Sequence, residues 1–335
     1  MPPASSNFRE YASYWAIVWE QFRKNRTAYG ALWAIGVLFA IAIYAPVFAS
    51  KVPFYWSDAN GTSFPWVRGL LFNRNVFEGP VDLFFNLLLV ASPVGLAAVA
   101  FVGAMRARLD VRAHAKLSRR VFGGLAVAIV VAFVIIAQLM EPRQAIPDYR
   151  ALSWAATDTK FLFAPLRISY DDTLHGVAGE GVRNLLGIDN AGRDIFVRLV
   201  YGTRVSLSVG VIAVSIYVAI GTVLGAVGGY FGGRTDLVVQ RLVEVFLCFP
   251  SFFLIMAFIG FLPQPSLIAV MVIIGLVGWT GPARLVRGEF LRLKNVDFVT
   301  AARACGFSNN RIIFRHILPN ALGPVLVNAT FGVAS

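Results

Sequence analysis

The chain has 335 residues, 57% of them hydrophobic and 14% charged, and a formal net charge of +12 at pH 7. A water-soluble domain of this length cannot bury so large an apolar fraction, which indicates a membrane protein. The positive charge, which in a soluble chain would suggest nucleic-acid binding, lies in a few short segments, so we expect no nucleic-acid partner. Two cysteines are too few for a disulfide framework.

Long uncharged runs predict the membrane spans in chain order. Each run can cross about 30 Å of hydrocarbon at about 1.5 Å per residue. The runs are 29–49, 83–105, 121–140, 205–233 and 245–283, the last divided by a proline-containing turn at 261–266. A further apolar run begins near Ile317 and is still continuing at Ser335. We therefore predict an all-α polytopic bundle with six complete spans, and we expect the chain to continue beyond its last residue.

The loops between the spans predict the orientation. With a cytoplasmic N-terminus, the cytoplasmic segments hold 19 Lys/Arg and 7 acidic residues, and the external segments hold 11 of each. This is the asymmetry of the positive-inside rule, and we expect the basic runs to contact anionic membrane lipid as well. The predicted segments are a cytoplasmic amphipathic lead-in at 1–28, the first span at 29–49, an additional transmembrane hairpin at 83–140, a small irregular external segment at 141–198, and a core at 199–335 with a cytoplasmic docking loop at 290–319.

Motifs for catalysis, metal binding and nucleotide binding are missing from the sequence. No lysine follows a glycine, which excludes a P-loop, and the three histidines are widely separated. We predict no catalytic residues, no metal ligands and no cofactor. No charged residue or histidine lies in the middle of a predicted span, although ion-coupled carriers generally need such groups. The energy for any transport would therefore come from outside the chain.

Two further patterns predict helix contacts. Gly221, Gly225 and Gly229 recur every four residues, the spacing that lets two membrane helices approach closely. In the external segment, Asp189 is expected to cap a helix whose first turns carry Arg193, Asp194 and Arg198.

The cytoplasmic loop contains the most specific spacing. Residues 298–305 can form a short helix, in which Ala301 and Ala302 would present a thin face to the groove of a partner. Gly306 suits the left-handed position that ends such a helix, and Pro319 is expected to interrupt helical continuation and set the angle into the last span. An ordinary basic loop is the alternative, but it would not require the Ala-Ala, Gly and Leu-Pro spacing.

Three segments, 186–207, 229–236 and 300–319, together resemble the permeases of oligopeptide/dipeptide-class bacterial ABC importers. The resemblance implies a type I permease core in the inner membrane, a second permease, two ATPase subunits and an extracytoplasmic solute-binding protein. It implies ATPase docking by Asp297, Thr300, Ala301, Ala302, Arg303, Gly306, Leu318 and Pro319. It also implies an external gate or binding-protein interface at Asp189, Gly192, Arg193, Asp194 and Arg198.

Some positions depart from this pattern. Thr300 stands where many ABC permeases have an acidic residue, and the hairpin 83–140 looks like an addition to the six-span core. The stretches 23–26 and 164–167 are similar to the branch associated with microcin C-type peptides. A secondary carrier driven by an ion gradient, a membrane-embedded enzyme and a non-transporting scaffold subunit remain alternatives.

Overall fold

The computed structural model describes residues 22–58, 61–73, 79–106, 108, 110–139, 147–155, 159–173 and 185–334. The chain forms two compact units, Met1–Arg204 and Val205–Ser335. Most of the predicted lead-in 1–28, and the parts of the external segment at 141–146, 156–158 and 174–184, lie outside the described residues.

Helices of 7 to 37 residues form most of the first unit. They are α1 (Arg26–Phe48), α2 (Pro65–Phe72), α3 (Pro80–Met105), α4 (Val111–Leu139), α5 (Tyr149–Ala155) and α6 (Ile195–Phe231), which continues into the second unit. Both α2 and α3 begin with proline, which has no N–H to leave unpaired at a helix start. α3 and α4 form a hairpin at the place predicted for the additional hairpin, and Leu83 and Leu87 of α3 are buried against α4.

The two segments predicted to be external contribute strands to one small β-sheet, which the sequence analysis did not predict. β1 (Tyr55–Asp58) lies between β2 (Gly61–Ser63) and β3 (Lys160–Leu162), and both pairings are antiparallel. Trp56 stacks on Phe161, with ring centroids 6.1 Å apart. The strands are three or four residues long and β3 is about a hundred residues from its partner, so no local alternation could reveal them.

The second unit contains shorter helices joined by tight breaks. After α6 come α7 (Gly233–Leu247), α8 (Ser251–Gly260), α9 (Leu267–Val277), α10 (Thr280–Leu293), α11 (Asp297–Ala304) and α12 (Asn309–Arg311). A π-helical turn (Ile312–Ile317) then leads directly into α13 (Leu318–Ala334). The predicted turn at 261–266 separates α8 from α9.

Two breaks inside predicted spans were not expected. α7 and α8 meet at 82°, and α9 and α10 meet at 40°. Pro250 precedes α8 and, having no N–H, cannot extend α7. Pro282 lies in the first turn of α10, where a missing N–H is tolerated. The sequence contained both prolines, but the long apolar runs around them suggested unbroken spans.

The helices of the described residues fit a membrane. Four of them, α1, α3, most of α4 and α6, are long and apolar enough to cross it, and counting each bent pair as one span gives up to six. The all-α polytopic architecture is therefore confirmed, and the chain is a multi-pass membrane protein.

Candidate functional site

The short helix α11 ends in a complete glycine cap. The N–H of Gly306 donates to the Arg303 carbonyl at 3.0 Å, and the N–H of Phe307 donates to the Ala302 carbonyl at 3.2 Å. This pair of bonds is the Schellman motif, which needs a left-handed residue after the helix. Gly306 supplies it with φ of 77°. The cap fixes the direction in which the chain leaves α11.

One face of α11 is buried in the chain's own core. Val299 and Ala302 lie in an apolar cluster with residues of α6, α10 and the π-helical turn, and Ala302 is only 6% exposed. The expectation that Ala302 faces a partner is therefore wrong. The two alanines do lie in a short helix, as predicted. The sequence pattern alone could not show which of the two faces the core.

The opposite face of α11 is exposed and made of small side chains. Its members recur at i, i+3, i+4 and i+7, which places them on one side of a helix; they are Asp297, Thr300, Ala301 and Ala304. The Thr300 hydroxyl donates its hydrogen to the Asp297 carbonyl of the same helix, at 2.9 Å. This surface, called here the small-residue face, is a part of the loop that a partner can reach.

Side chains hold the loop to the end of α6. The Tyr230 hydroxyl donates to Asn309 Oδ1 at 2.7 Å, and the Arg303 guanidinium lies 5.9 Å from the centre of the Tyr230 ring. The Lys294 ammonium donates to the Gly229 carbonyl at 3.2 Å. Residues on both sides of α11 in the sequence therefore contact the end of α6.

Pro319 does not interrupt the helix, contrary to expectation. α13 begins at Leu318, directly after the π-helical turn, and runs on to Ala334. The Leu318 N–H donates to the Ile313 carbonyl, five residues earlier. A wider turn of this kind places Pro319 in the first turn of the following helix, where its missing N–H is tolerated. Leu318 is half-buried against the core that also holds Ala302.

The three glycines of α6 lie against α10 without room for side chains. A Cβ on Gly221 would come within 2.7 Å of the Pro282 Cβ, one on Gly225 within 2.4 Å of the Ala283 carbonyl, and one on Gly229 within 2.7 Å of the Phe290 Cβ. Each distance is shorter than real Cβ contacts. The backbones of α6 and α10 approach as closely as small-residue packing permits.

An ion pair also joins the helices of this region. Arg287 of α10 donates to Asp236 of α7 through Nε at 2.5 Å and through Nη2 at 2.7 Å, a two-point contact. Bidentate pairs of this kind fix orientation as well as distance.

Asp189 does not cap α6; it organises the turn before the helix. Its Oδ1 accepts from the backbone N–H groups of Ala191 and Arg193, both at 2.9 Å, and its Oδ2 accepts from the Arg193 and Arg198 side chains. The pKa of Asp189 is lowered to about 2, chiefly by the hydrogen bond from the Arg193 N–H. The Ala191 N–H and the Arg193 guanidinium lower it further. Gly192, with φ of 76°, closes the turn.

The helix cap is Asp194. Its Oδ1 accepts from the Val197 N–H at 2.8 Å, and α6 begins at Ile195. Of the five predicted residues, Asp189, Gly192 and Arg193 therefore lie in one turn and Asp194 caps the helix. Arg198 lies in the first turn of α6, and its side chain contacts Asp189. The correction has a simple cause: aspartate favours both turns and N-caps.

Arg204 is the residue that sequence reasoning missed. It lies within α6, is 1% exposed, and pairs with Asp82 of α3 at 3.3 Å. Arg204 lies near the start of this 37-residue helix, so the expectation of spans without charges in their middle stays a prediction. Arg204 immediately preceded the uncharged run 205–233, so it was assigned to the external loop, whereas the helix begins about nine residues earlier.

Two parts of the chain match known protein families. Residues 221–335 match the family "Binding-protein-dependent transport system inner membrane component". Residues 13–63 match "N-terminal TM domain of oligopeptide transport permease C". The second match covers α1, and the first covers the glycine-packed half of α6 and the loop that contains α11.

Curated relatives point the same way. The chain is 42% identical over 175 residues to the dipeptide transport system permease protein DppC of Alkalihalophilus pseudofirmus, covering 51% of this chain and 57% of that protein. It is 42% identical over 150 residues to the oligopeptide transport system permease protein OppC of Haemophilus influenzae, covering 45% and 48%.

A longer match covers nearly all of the chain. It is 28% identical over 319 residues to the inner membrane ABC transporter permease protein YejE of Escherichia coli, covering 95% of this chain and 76% of that protein. The chain spans about half the length of the first two relatives. The resemblance to oligopeptide/dipeptide-class permeases is confirmed, and the relation to the microcin C-type branch stays a prediction.

Proposed function

We propose that this chain, whose matched regions belong to the oligopeptide class of ABC permeases, is a membrane-spanning subunit of an ATP-driven peptide importer. In this proposal it forms the translocation pathway with a second, similar permease. Two ATPase subunits and an extracytoplasmic solute-binding protein complete the complex, which lies in the bacterial inner membrane with the N-terminus of this chain in the cytoplasm. Its relatives are named for dipeptide and oligopeptide transport.

The observation that carries the proposal is the small-residue face of α11. A helix whose outer side holds two alanines and a threonine can enter a narrow groove that larger side chains would block. Its inner side is fixed by Val299, Ala302 and the glycine cap. A short helix with a firmly packed inner face and small side chains on its outer face is suited to transmit the motion of a partner, because the helix bends little under load.

The mechanism follows from this rigidity. ATP binding closes the two ATPases, and their grooves carry α11 with them. Because Tyr230, Asn309 and Lys294 tie the α11 region to α6, and the glycine stripe joins α6 to α10, the movement reaches the helices of residues 205–290. We infer that these helices line the pathway and alternate between outward-open and inward-open arrangements.

The external turn is proposed as the surface that meets the binding protein or forms the outer gate. Asp189 collects two N–H groups and two arginine side chains in one compact turn. The exposed parts of Arg193 and Arg198 then have fixed positions beside the start of α6. A partner with acidic side chains could recognise such an arrangement.

The experiment substitutes Ala301 with Trp in the affinity-tagged full-length chain, expressed in its own organism. We expect ATPase activity in the purified complex, and uptake of radiolabelled peptides by the cells, to fall at least tenfold. The control is Ala113→Trp, which places the same side chain on an exposed alanine of α4 and should leave both measurements unchanged. Full ATPase recovery and full uptake with Ala301→Trp would refute docking at this face.

A second measurement separates the remaining alternatives. The purified chain alone, in vesicles with a pH or sodium gradient, should not move labelled peptide. Peptide movement under these conditions would identify a secondary carrier instead. An intact complex that binds ATPases but shows no peptide uptake under any condition would favour a scaffold subunit.

A further inference from the structure

Pro46 leaves a carbonyl without its helical partner near the end of α1. A proline has no N–H, so the carbonyl four residues earlier, that of Ala42, cannot make its usual bond. Ala42 is fully buried, and a buried carbonyl without a donor is unfavourable. The side chain of Arg204, far away in the sequence, supplies the donors: its Nε lies 2.6 Å from the Ala42 oxygen, and its Nη2 lies 3.3 Å from the Ile43 oxygen.

The charge of Arg204 is balanced by the additional hairpin. Its Nη1 donates to Asp82 Oδ1 at 3.3 Å and to Asn86 Oδ1 at 2.9 Å. Both acceptors belong to the first turns of α3. The guanidinium also lies 5.5 Å from the centre of the Phe85 ring. A buried cation requires such compensation, because removing it from water is costly unless opposite charge and hydrogen bonds replace the water.

The network extends to a fourth helix. Asn86 Nδ2 donates to the Leu70 carbonyl at 2.9 Å. Leu70 lies in the last turn of α2, where carbonyls have no partner within the helix. Arg204 of α6 therefore donates to a carbonyl of α1 that has no donor within its own helix. Asn86 of α3 does the same for a carbonyl in the last turn of α2.

A second proline shows that the carbonyl left free by a proline does not need a donor from another helix. Pro93 of α3 leaves the Leu89 carbonyl without its helical donor in the same way. There, the hydroxyl of the adjacent Ser92 donates to Leu89 at 2.7 Å. The gap in α3 is closed locally, whereas the gap in α1 is closed by α6.

We propose that Arg204 is a positioning residue that fastens the additional hairpin to α1 and to the start of α6, so that these three segments move as one body. The hairpin is then a structural part of the permease and not a separable addition. It supplies Asp82 and Asn86, without which the cation that closes the gap in α1 would itself be unpaired. This inference goes beyond the proposed transport function and does not depend on it.

The test is a double-mutant cycle on the purified full-length chain, read as melting temperature in detergent. Arg204→Met should lower the melting temperature by about 5–10 °C, because it leaves buried acceptors without donors. Pro46→Ala restores an N–H opposite the Ala42 carbonyl, so Arg204→Met should lower the melting temperature by at most half as much in that background. The control is Ser215→Ala, which removes an exposed hydroxyl that donates to the Val211 carbonyl within α6; its effect should be the same with and without Pro46→Ala. An equal loss for Arg204→Met in both backgrounds would overturn the role assigned to the Ala42 carbonyl.

Hydrogen exchange tests the coupling to the hairpin. Arg204→Met should speed amide exchange several-fold both at 42–48 and at 80–89. Faster exchange confined to 42–48 would show that the hairpin is held independently of Arg204. If Arg204→Met does not accumulate, Arg204→Lys is measured in its place. Lys keeps the charge but cannot reach the carbonyls and the carboxylate together, so a wild-type exchange pattern with Lys would equally contradict the proposal.

Discussion

Ala301 and Ala302 are neighbours in the sequence but lie on opposite sides of α11. Ala302 packs with Val299 in the core of the second unit, and Ala301 belongs to the exposed small-residue face. Successive residues of a helix are rotated by about 100°, so one of two adjacent alanines can be buried in the core while the other is exposed. The two positions therefore have different surroundings, and substitutions should separate their effects.

The first prediction concerns these two alanines. Ala302→Trp should destabilise the chain by about 1–3 kcal/mol, because a large side chain would overpack a filled core. Ala301→Trp should change stability by about 0.5 kcal/mol at most, as is usual for an exposed position. Thermal unfolding of both purified variants measures the difference. Equal destabilisation by the two substitutions would mean that α11 is rotated from the position described.

A second prediction concerns the conformation of Gly306. Its φ of 77° disfavours side chains, although no neighbouring atom would meet a Cβ there. Substitution should therefore cost backbone strain alone, about 1–2 kcal/mol for alanine. Asparagine tolerates this region better than alanine, and valine tolerates it worse. Unfolding measurements should show the smallest loss of stability for Gly306→Asn, a larger loss for Gly306→Ala and the largest for Gly306→Val. An alanine variant as stable as wild type would contradict the glycine cap.

The third prediction compares two glycines in packed helices. Gly225→Ala forces a Cβ to within 2.4 Å of the Ala283 carbonyl, so α6 and α10 must separate and the chain should lose several kcal/mol, about the upper range for single substitutions. Gly288 in α10 has no atom within 4 Å of an added Cβ. Gly288→Ala should therefore be neutral or stabilise by up to about 1 kcal/mol, because alanine favours a helix.

Expression level and melting temperature measure this pair. The comparison controls for the chemistry of the substitution, since both changes add one methyl group to a helical glycine. A stable Gly225→Ala variant would show that the two helices do not approach as closely as the structure has them.

The fourth prediction concerns pH and Asp189. Hydrogen bonds to its carboxylate, chiefly from the Arg193 N–H, lower its pKa to about 2 from an ordinary 3.8. A group whose pKa is lowered in the folded state stabilises that state at pH values above the ordinary pKa, and this stabilisation disappears as the pH falls through the lowered value. The melting temperature of wild type should therefore exceed that of Asp189→Asn by a constant amount from pH 7 to about pH 5.

The difference should narrow below pH 4 and become small near pH 2. Thermal unfolding of both proteins at several pH values, at constant ionic strength, provides the measurement. A difference that already changes between pH 7 and pH 5 would indicate that a different group, and not Asp189, stabilises the turn.

Sequence reasoning was most successful where a property depends on neighbouring residues. The hairpin α3–α4 follows from two long uncharged runs, and the helix α11 and the left-handed Gly306 each follow from a few adjacent residues. It was wrong where a residue type suits two roles, as for Asp189 and Asp194, which occupy a turn and a helix cap. It was also wrong for Pro319, because the π-helical turn before it places the proline in a first turn, where no N–H is needed.

The sequence alone determined that this chain is a helical membrane protein that resembles a family of permeases, because long uncharged runs and short motifs are local properties that any fold must accommodate. The tertiary structure decided which surfaces are free and which distant groups meet. Only packing turns Ala302 inward and leaves Ala301 outside, and only the folded chain brings Arg204 to the carbonyl that Pro46 left without a donor. Such contacts depend on the relative placement of helices, which no single stretch of sequence encodes.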